Sequence, residues 1–350
     1  MKKFIISIDA GTTSVRSVLF DLKGKPIFSS QKEFTQYFPK NGWVEHDPDE
    51  IWVKTKKTLL DVIYRAKKLR GKALTIGITN QRETTILWNK KNGKVVYKAI
   101  VWQDRRTEEF CKKLRDQNKE TSFFNKTGLL IDPYFSATKV KWILDNIPQA
   151  KKLMNRDELL FGTIDTFLIW RLTKRQIHAT DATNASRTML YNISSNKWDE
   201  GILKLLKIKK NILPEVKDCS DDFGSTHSSV TGQSIPINGV VGDQQAATIG
   251  QCCFEPGSLK STYGTGAFVL LNTGNKIIYS KNRLLTTIAY RIKGKTTYAM
   301  EGSIFIAGAG VQWLRDRMQF VKKAPERCIL FNNFKSRNEA KQCRNILIRW

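Results

Sequence analysis

Three stretches of the chain have the residue types and spacing needed to move a phosphate. Residues 4–20 read FIISIDAGTTSVRSVLF, an apolar run, a Gly11-Thr12-Thr13-Ser14 turn and a second apolar run. Asp9 closes the first run and Arg16 follows the turn. A carboxylate so placed can sit on the water shell of a magnesium ion, while hydroxyls and backbone N–H groups of the turn take phosphate oxygens. The same residues also make an ordinary β-hairpin with a polar turn, because Gly and Thr are common there. No G-x-x-x-x-G-K-[ST] string occurs, so this is not a Walker loop. Ser261-Thr262-Tyr263-Gly264-Thr265-Gly266-Ala267-Phe268 again runs an extended segment into a Gly/Thr turn suited to close backbone approach. Two such turns far apart predict two lobes closing on one nucleotide. Gly242-Asp243-Gln244-Gln245 sets a carboxylate between a strand and a helix entry. That position suits a general base for an alcohol, and it equally suits a helix-capping residue.

On the acceptor side, Asn80-Gln81-Arg82-Glu83-Thr84 joins a cation and an anion at a strand end. Such a pair is either a surface ion pair or, lining a pocket, a set of donors and acceptors for the hydroxyls of a polyol. Trp102, Tyr134 and Phe268 are either apolar walls for the carbon skeleton or plain core. Asp222-Phe223-Gly224 spells a kinase magnesium motif, but neither H-R-D-x-x-x-x-N nor V-A-I-K accompanies it, so it reads as a loop.

The elements that must position these groups follow from periodicity. Strands are expected at 3–8, 15–20 and 26–31, the last two joined by a turn at Asp21–Lys25. Asp47-Pro48-Asp49-Glu50 starts a helix whose apolar face carries Ile51, Trp52, Leu59, Val62 and Ile63. Strands at 74–79 and 85–88, a turn at Asn92-Gly93, and helices over 104–117, 136–146 and 163–172 come next. A second strand–acid–helix passage spans 235–250, followed by a strand at 259–263 and a helix over 311–321. This mixture predicts an α/β domain on a mixed sheet.

A length of 350 residues accommodates two domains, and 41% apolar with 26% charged residues is a globular composition. The apolar run after Met1-Lys2-Lys3 is too short for a signal peptide and no run approaches membrane-spanning length, so a cytoplasmic protein without a membrane segment is expected. Six cysteines without CxxC spacing read as reduced thiols. The net charge of +27 is spread along the chain without a nucleic-acid-binding motif, so no nucleic-acid partner is expected.

Taken together, the strings IDAGTTSVRSVLFD (8–21), NGWVEHDPDEIW (41–52), IGITNQRETTILW (76–88), AIVWQDRRT (99–107), GLLIDPYFSATKVKWILDN (128–146), DATNASRTMLYNI (181–193), GDQQAATIGQ (242–251), STYGTGAF (261–268) and GSIFIAGAGVQWLRD (302–316) resemble the glycerol kinases of the FGGY carbohydrate kinase family. The resemblance covers roughly residues 1–320. It implies the two-lobed actin-like, ribonuclease-H-like fold and ATP-dependent phosphorylation of glycerol to sn-glycerol 3-phosphate. It also implies that Asp9 acts on Mg²⁺ through water, that Thr12, Thr13, Ser14, Arg16 and Thr265 hold phosphates, and that Gly308 and Gln312 approach the nucleotide. By the same carry-over Arg82, Glu83, Tyr134, Asp243 and Gln244 bind glycerol, Trp102 and Phe268 pack on its carbons, and Asp243 is the catalytic base. Members are often homo-oligomers.

The expected division is an N-terminal domain over 1–250, a partial C-terminal domain over 251–323 and an unrelated basic tail over 324–350. The tail, APERCILFNNFKSRNEAKQCRNILIRW, resembles no part of the family and reads as out-of-frame or degenerate sequence. On that reading the second lobe is incomplete, and the alternatives to an active kinase are an inactive glycerol-binding fragment or a kinase of another small polyol or sugar.

Overall fold

Along Phe4-Ile5-Ile6-Ser7-Ile8-Asp9-Ala10 the chain alternates between two faces, as a strand must. The computed structural model describes residues 1–263, 266–304 and 306–319, without the side chains of Ala309 and Gln312. In it the strand Lys2–Ala10 buries Phe4, Ile6, Ile8 and Ala10, and Ser7 and Asp9 lie on the opposite, more open face. This strand is the centre of a five-stranded sheet in the order Ile237–Gly242, Gly71–Asn80, Lys2–Ala10, Ser14–Phe20, Pro26–Glu33. The first three run parallel, and the last two return antiparallel as the expected meander.

The helix Pro48–Lys68 begins where the sequence places it. The Asp47 carboxylate accepts the N–H groups of Asp49 and Glu50 at 2.9 and 3.3 Å, Pro48 occupies the first turn, and Arg65, Lys67 and Lys68 fill the last. Its Ile51, Leu59, Val62 and Ile63 share one core with Phe4, Ile6, Ile8, Ile76 and Ile78 of the sheet. Each such fully buried side chain contributes about 1.5–3 kcal/mol against exposure.

A second core gathers Phe123, Phe135, Val140, Ile143, Leu153, Phe161 and Leu203. They come from the helices Glu120–Thr127, Ser136–Asn146 with its N-cap Phe135, Pro148–Asn155 and Glu200–Leu206 and the strand Leu159–Gly162. The helix expected over 104–117 is confined to Glu108–Asp116. Residue 104 is unavailable to it because the buried Asp104 carboxylate accepts the Val44 N–H at 2.6 Å and the Arg106 N–H at 2.9 Å, which holds the preceding bend and Trp102 in place. The helix expected over 311–321 runs Gly308–Asp316 instead. Asp222-Phe223-Gly224 is a loop with Gly224 at φ +81°.

Two compact units are present. Residues 1–259 with 270–301 form the first, and among the described residues 260–269 and 302–319 belong to the second. This division does not coincide with a break at 250, because 270–301 returns to the first unit. The expected tail over 324–350 lies outside the described residues.

Gly128 ends the helix Glu120–Thr127 at φ +74°, and its carbonyl accepts the Thr286 N–H at 2.8 Å. A Cβ there would collide with the Thr286 carbonyl. Gly128→Ala is therefore expected to destabilise the fold by roughly 2–4 kcal/mol, combining left-handed strain with that clash. Denaturant titration at unchanged m-value measures it; a midpoint equal to the parent's would show that this close approach does not exist.

Candidate active site

Strand register sets the site. Ala10 lies beside Asn80, and Asn80 beside Gly242, on three parallel strands. Parallel strands finish on one edge, so Asp9, the segment Gln81–Glu83 and Asp243 emerge together where open α/β sheets bind their ligands.

The turn after Asp9 closes with the Gly11 N–H donating to the Ser14 carbonyl at 3.0 Å. Its other carbonyls are braced from below. Gln36 Nε2 donates to the Thr12 carbonyl and Gln81 Nε2 to the Gly11 carbonyl, each at 2.9 Å. His46 stands between the two amides, with Nε2 2.6 Å from Gln36 Oε1 and Nδ1 3.3 Å from Gln81 Nε2. Those partners assign the proton to Nε2 and leave Nδ1 as the acceptor. Burial pushes the His46 pKa down to about 3, so the ring is neutral. Thr12 Oγ1 accepts the Trp102 indole N–H at 3.0 Å, and Ser14 Oγ accepts from Gln31 Nε2 at 2.9 Å. Thr13 is exposed. Arg16 Nη2 lies 3.1 Å from Asp9 Oδ2, with side-chain exposures of 50% and 35%, so both groups are reachable from solvent.

Behind Asp243 sits a buried charged cluster. Arg82 grips Glu301 with both terminal nitrogens, at 2.7 and 2.9 Å, and reaches Gln245 Oε1 at 3.1 Å and Tyr134 Oη at 3.2 Å. Arg187 donates to Glu83 at 2.6 Å and to Glu301 at 3.0 Å, and its guanidinium lies 5.4 Å from the centre of the Tyr134 ring. Burial opposes the charge on Arg82, but Glu301 and Glu83 outweigh it and hold the guanidinium well above its usual value. Two arginines and two glutamates balance, which is what permits four buried charges in one place.

Asp243 is the first residue of the helix Asp243–Gly250, with Gly242 as its N-cap. The Gly242 N–H donates to Thr183 Oγ1 at 2.9 Å, and that hydroxyl donates to the buried Asp181 at 2.7 Å. Asp243 Oδ1 accepts the Gln244 N–H at 2.7 Å and lies 3.5 Å from Arg82 Nε. Desolvation pushes its carboxyl up to about 6, with Glu83 adding and Arg82 opposing. The side chain keeps 35% exposure, so one flank of this carboxylate remains open. Gln244 is half-buried next to it. Trp102 meets Tyr134 edge-to-face, their centres 5.8 Å apart.

Of the sequence-based expectations, Asp9, Thr12, Thr13, Ser14, Arg16, Arg82, Glu83, Trp102, Tyr134, Asp243 and Gln244 all lie in the first unit. Phe268, which is buried, and Gly308, which opens a helix, lie in the second. Thr265 and the side chain of Gln312 lie outside the described residues. Sequence reasoning missed Arg187, Glu301, His46 and Gln36. The one local signal for Glu301 is its place two residues after Ala299 on a strand, a charge on the inward face.

Residues 4–250 match the N-terminal domain of the FGGY family of carbohydrate kinases. The chain belongs to that family. It is 58% identical over 326 residues to a glycerol kinase of Rhizobium meliloti, covering 93% of this chain and 66% of that protein. A glycerol kinase of Pseudomonas aeruginosa is 54% identical over the same shares of both chains. The crystal structure of Plasmodium falciparum glycerol kinase with ADP superposes with a TM-score of 0.88 at 39% identity, over 93% of this chain and 65% of that one. A xylulose kinase from Lactobacillus acidophilus shares the fold, with a TM-score of 0.79 at 24% identity. The expected actin-like sugar-kinase fold is thus the one observed, and this FGGY chain spans about two thirds of its relatives' length, 66% and 65% for the first two.

Two outcomes follow for the FGGY scaffold. Glu301→Gln leaves two buried arginines facing one glutamate and is expected to destabilise the fold by about 3–5 kcal/mol, measured by chemical unfolding. His46, neutral when folded, protonates more readily when unfolded, so its contribution is present above about pH 6.5 and is lost as pH falls toward its folded value. Stability between pH 7 and 4.5 should fall more steeply in the parent than in His46→Gln, which keeps a donor toward Gln36 but cannot titrate; parallel curves would contradict the neutral assignment.

Proposed function

We propose that this chain carries out the ATP-dependent phosphorylation of glycerol to sn-glycerol 3-phosphate. The observation that carries the reading is the row Ala10, Asn80, Gly242, which brings a phosphate-type turn, a charged polyol cluster and an accessible carboxylate to one sheet edge. The names of its relatives support the same reading.

In the proposed reaction Glu83 accepts from the hydroxyls of glycerol, Arg82, Tyr134 and Gln244 complete the hydrogen bonding, and Trp102 covers the carbons. Asp243 takes the proton from the attacking hydroxyl. The glycerol oxygen forms the new bond to the γ-phosphorus as the bond to the β–γ bridging oxygen breaks, and ADP leaves. A carboxyl near pH 6 is largely ionised at neutral pH yet basic enough to share a proton in the transition state. Thr12, Thr13, Ser14 and Arg16 hold phosphate oxygens.

Among the described residues no cluster of three or more metal-type ligands is present, and Asp9 is a lone, part-exposed carboxylate. That donor set fits Mg²⁺, which keeps most of its waters and takes substrate phosphates as ligands. When bound, the ion neutralises charge on the phosphates. No helix among the described residues is long and apolar enough to cross a membrane.

All polyol-binding groups except Phe268 lie in the first unit, which favours a second reading: glycerol binding with little turnover. Calorimetry with glycerol and coupled detection of ADP release separate the two. Heat of binding without glycerol-dependent ADP selects the second reading, and no binding at all rejects both. For the active enzyme, Asp243→Asn is expected to lower kcat by about 10²–10⁴ while glycerol affinity changes little. Below pH 6 kcat/KM should fall as Asp243 protonates, approaching tenfold per unit. A flat profile down to pH 5 would remove Asp243 from the role of base.

A further inference from the structure

Ser136 and Lys139 lie three residues apart on the helix Ser136–Asn146, which puts them on one face of its first turn. Both are fully buried. Ser136 Oγ donates to the backbone carbonyl of Glu83 at 3.0 Å. Lys139 Nζ reaches the same oxygen at 3.4 Å and donates to the Tyr134 carbonyl at 2.9 Å. Thr85 Oγ1 supplies a further bond to the Glu83 carbonyl at 3.1 Å. One backbone oxygen therefore collects donors from three side chains.

That concentration coincides with a strained residue. Glu83 has φ +59°, the left-handed region that a non-glycine residue enters only when its surroundings compel it. The bend turns the carbonyl toward the helix and lets the side chain meet Arg187 at 2.6 Å. Among the described residues Lys139 makes no ion pair, although an ammonium is among the costliest groups to bury. Desolvation lowers its pKa to about 7, with Glu83, Asp104 and Asp132 opposing and Arg106 adding. A methionine would fill the same space without that penalty. What lysine adds is its N–H donors, and they go to the carbonyls of two residues whose side chains form the polyol cluster.

We infer that Lys139, with Ser136, is a positioning residue: it holds the Glu83 carbonyl and so maintains the bend that presents the Glu83 side chain to the polyol. The inference rests on the polyol reading of this cluster for its consequence, but the positioning can be observed without ligand.

The experiment compares the full chain with Lys139→Met and Ser136→Ala by hydrogen–deuterium exchange over residues 81–86, by thermal melting and by glycerol calorimetry. Lys139→Met is expected to keep a cooperative melt and to speed exchange in that segment at least tenfold while the helix core around Val140 and Ile143 stays protected, since local opening is separable from global unfolding. Its glycerol Kd should rise at least about tenfold, a change of roughly 1.4 kcal/mol. If Lys139→Met does not fold, Ser136→Ala decides, with the same local loosening expected on a smaller scale. Unchanged exchange at 81–86 in the folded variants overturns the inference, as does an increase spread evenly over the helix. Faster local exchange in a chain whose parent binds no glycerol upholds the positioning and rejects the polyol reading.

Discussion

In a parallel sheet the strands all finish on the same edge, and a register error of one residue turns every side chain to the wrong face. The site depends on this constraint. Asp9 lies on the open face of its strand because Phe4, Ile6, Ile8 and Ala10 bury the other. The rows Asp9–Thr79–Val241 and Ala10–Asn80–Gly242 then determine where the neighbouring strands release Gln81 and Asp243. Hydrophobic burial thus decides the geometry of groups that are themselves polar. The helix Pro48–Lys68 belongs to the same logic, since its apolar stripe joins the core beneath those strands.

The charged cluster is held together largely by its own members. Every nitrogen of Arg82 already has an acceptor within 3.5 Å: Glu301 takes the terminal pair and Asp243 lies nearest Nε. Arg187 commits Nε to Glu83 and Nη2 to Glu301. Among the described residues Arg187 Nη1 is left without a hydrogen-bond partner, and of the carboxylates gathered here only Asp243, at 35% side-chain exposure, is open on one flank. Burying this many ions contributes little net stability; its value is the fixed direction it gives Glu83 and Asp243.

Much of this was legible in the sequence, and the divide between what was and was not is physical. Strand alternation at 4–10, the cap at Asp47 and the acid after Gly242 are local signals, and each element formed where expected. Arg187 and Glu301 were not legible because their partners are remote: Arg82 and Glu301 are 219 positions apart. Periodicity carries no information about such a pair. His46 was hidden for a related reason, since a histidine beside a helix start reads as surface until Gln36 and Gln81 close over it. The shortened helix at Glu108 shows local propensity losing to tertiary demand, because Asp104 is worth more as an acceptor for Val44 and Arg106 than as a helical residue.

The turn Gly11–Ser14, the segment Gln81–Thr84 and Trp102 are one hydrogen-bonded body. Gln81 holds the Gly11 carbonyl through Nε2 and takes the Thr84 hydroxyl on Oε1 at 2.9 Å. Thr84 Oγ1 in turn accepts the Trp102 backbone N–H at 3.3 Å, and the Trp102 indole returns to Thr12 at 3.0 Å. The loop of bonds closes on itself, so the turn cannot shift without moving Trp102, nor Trp102 without Thr84. Phosphoryl transfer is catalysed chiefly by alignment, and a misplacement of about 1 Å can cost two orders of magnitude in rate. A closed network of neutral donors and acceptors is a sound way to hold that alignment. It adds no charge to a site whose charges are already balanced, and it ties the turn after Asp9 to the segment Gln81–Thr84 through covalent frame and hydrogen bonds alone.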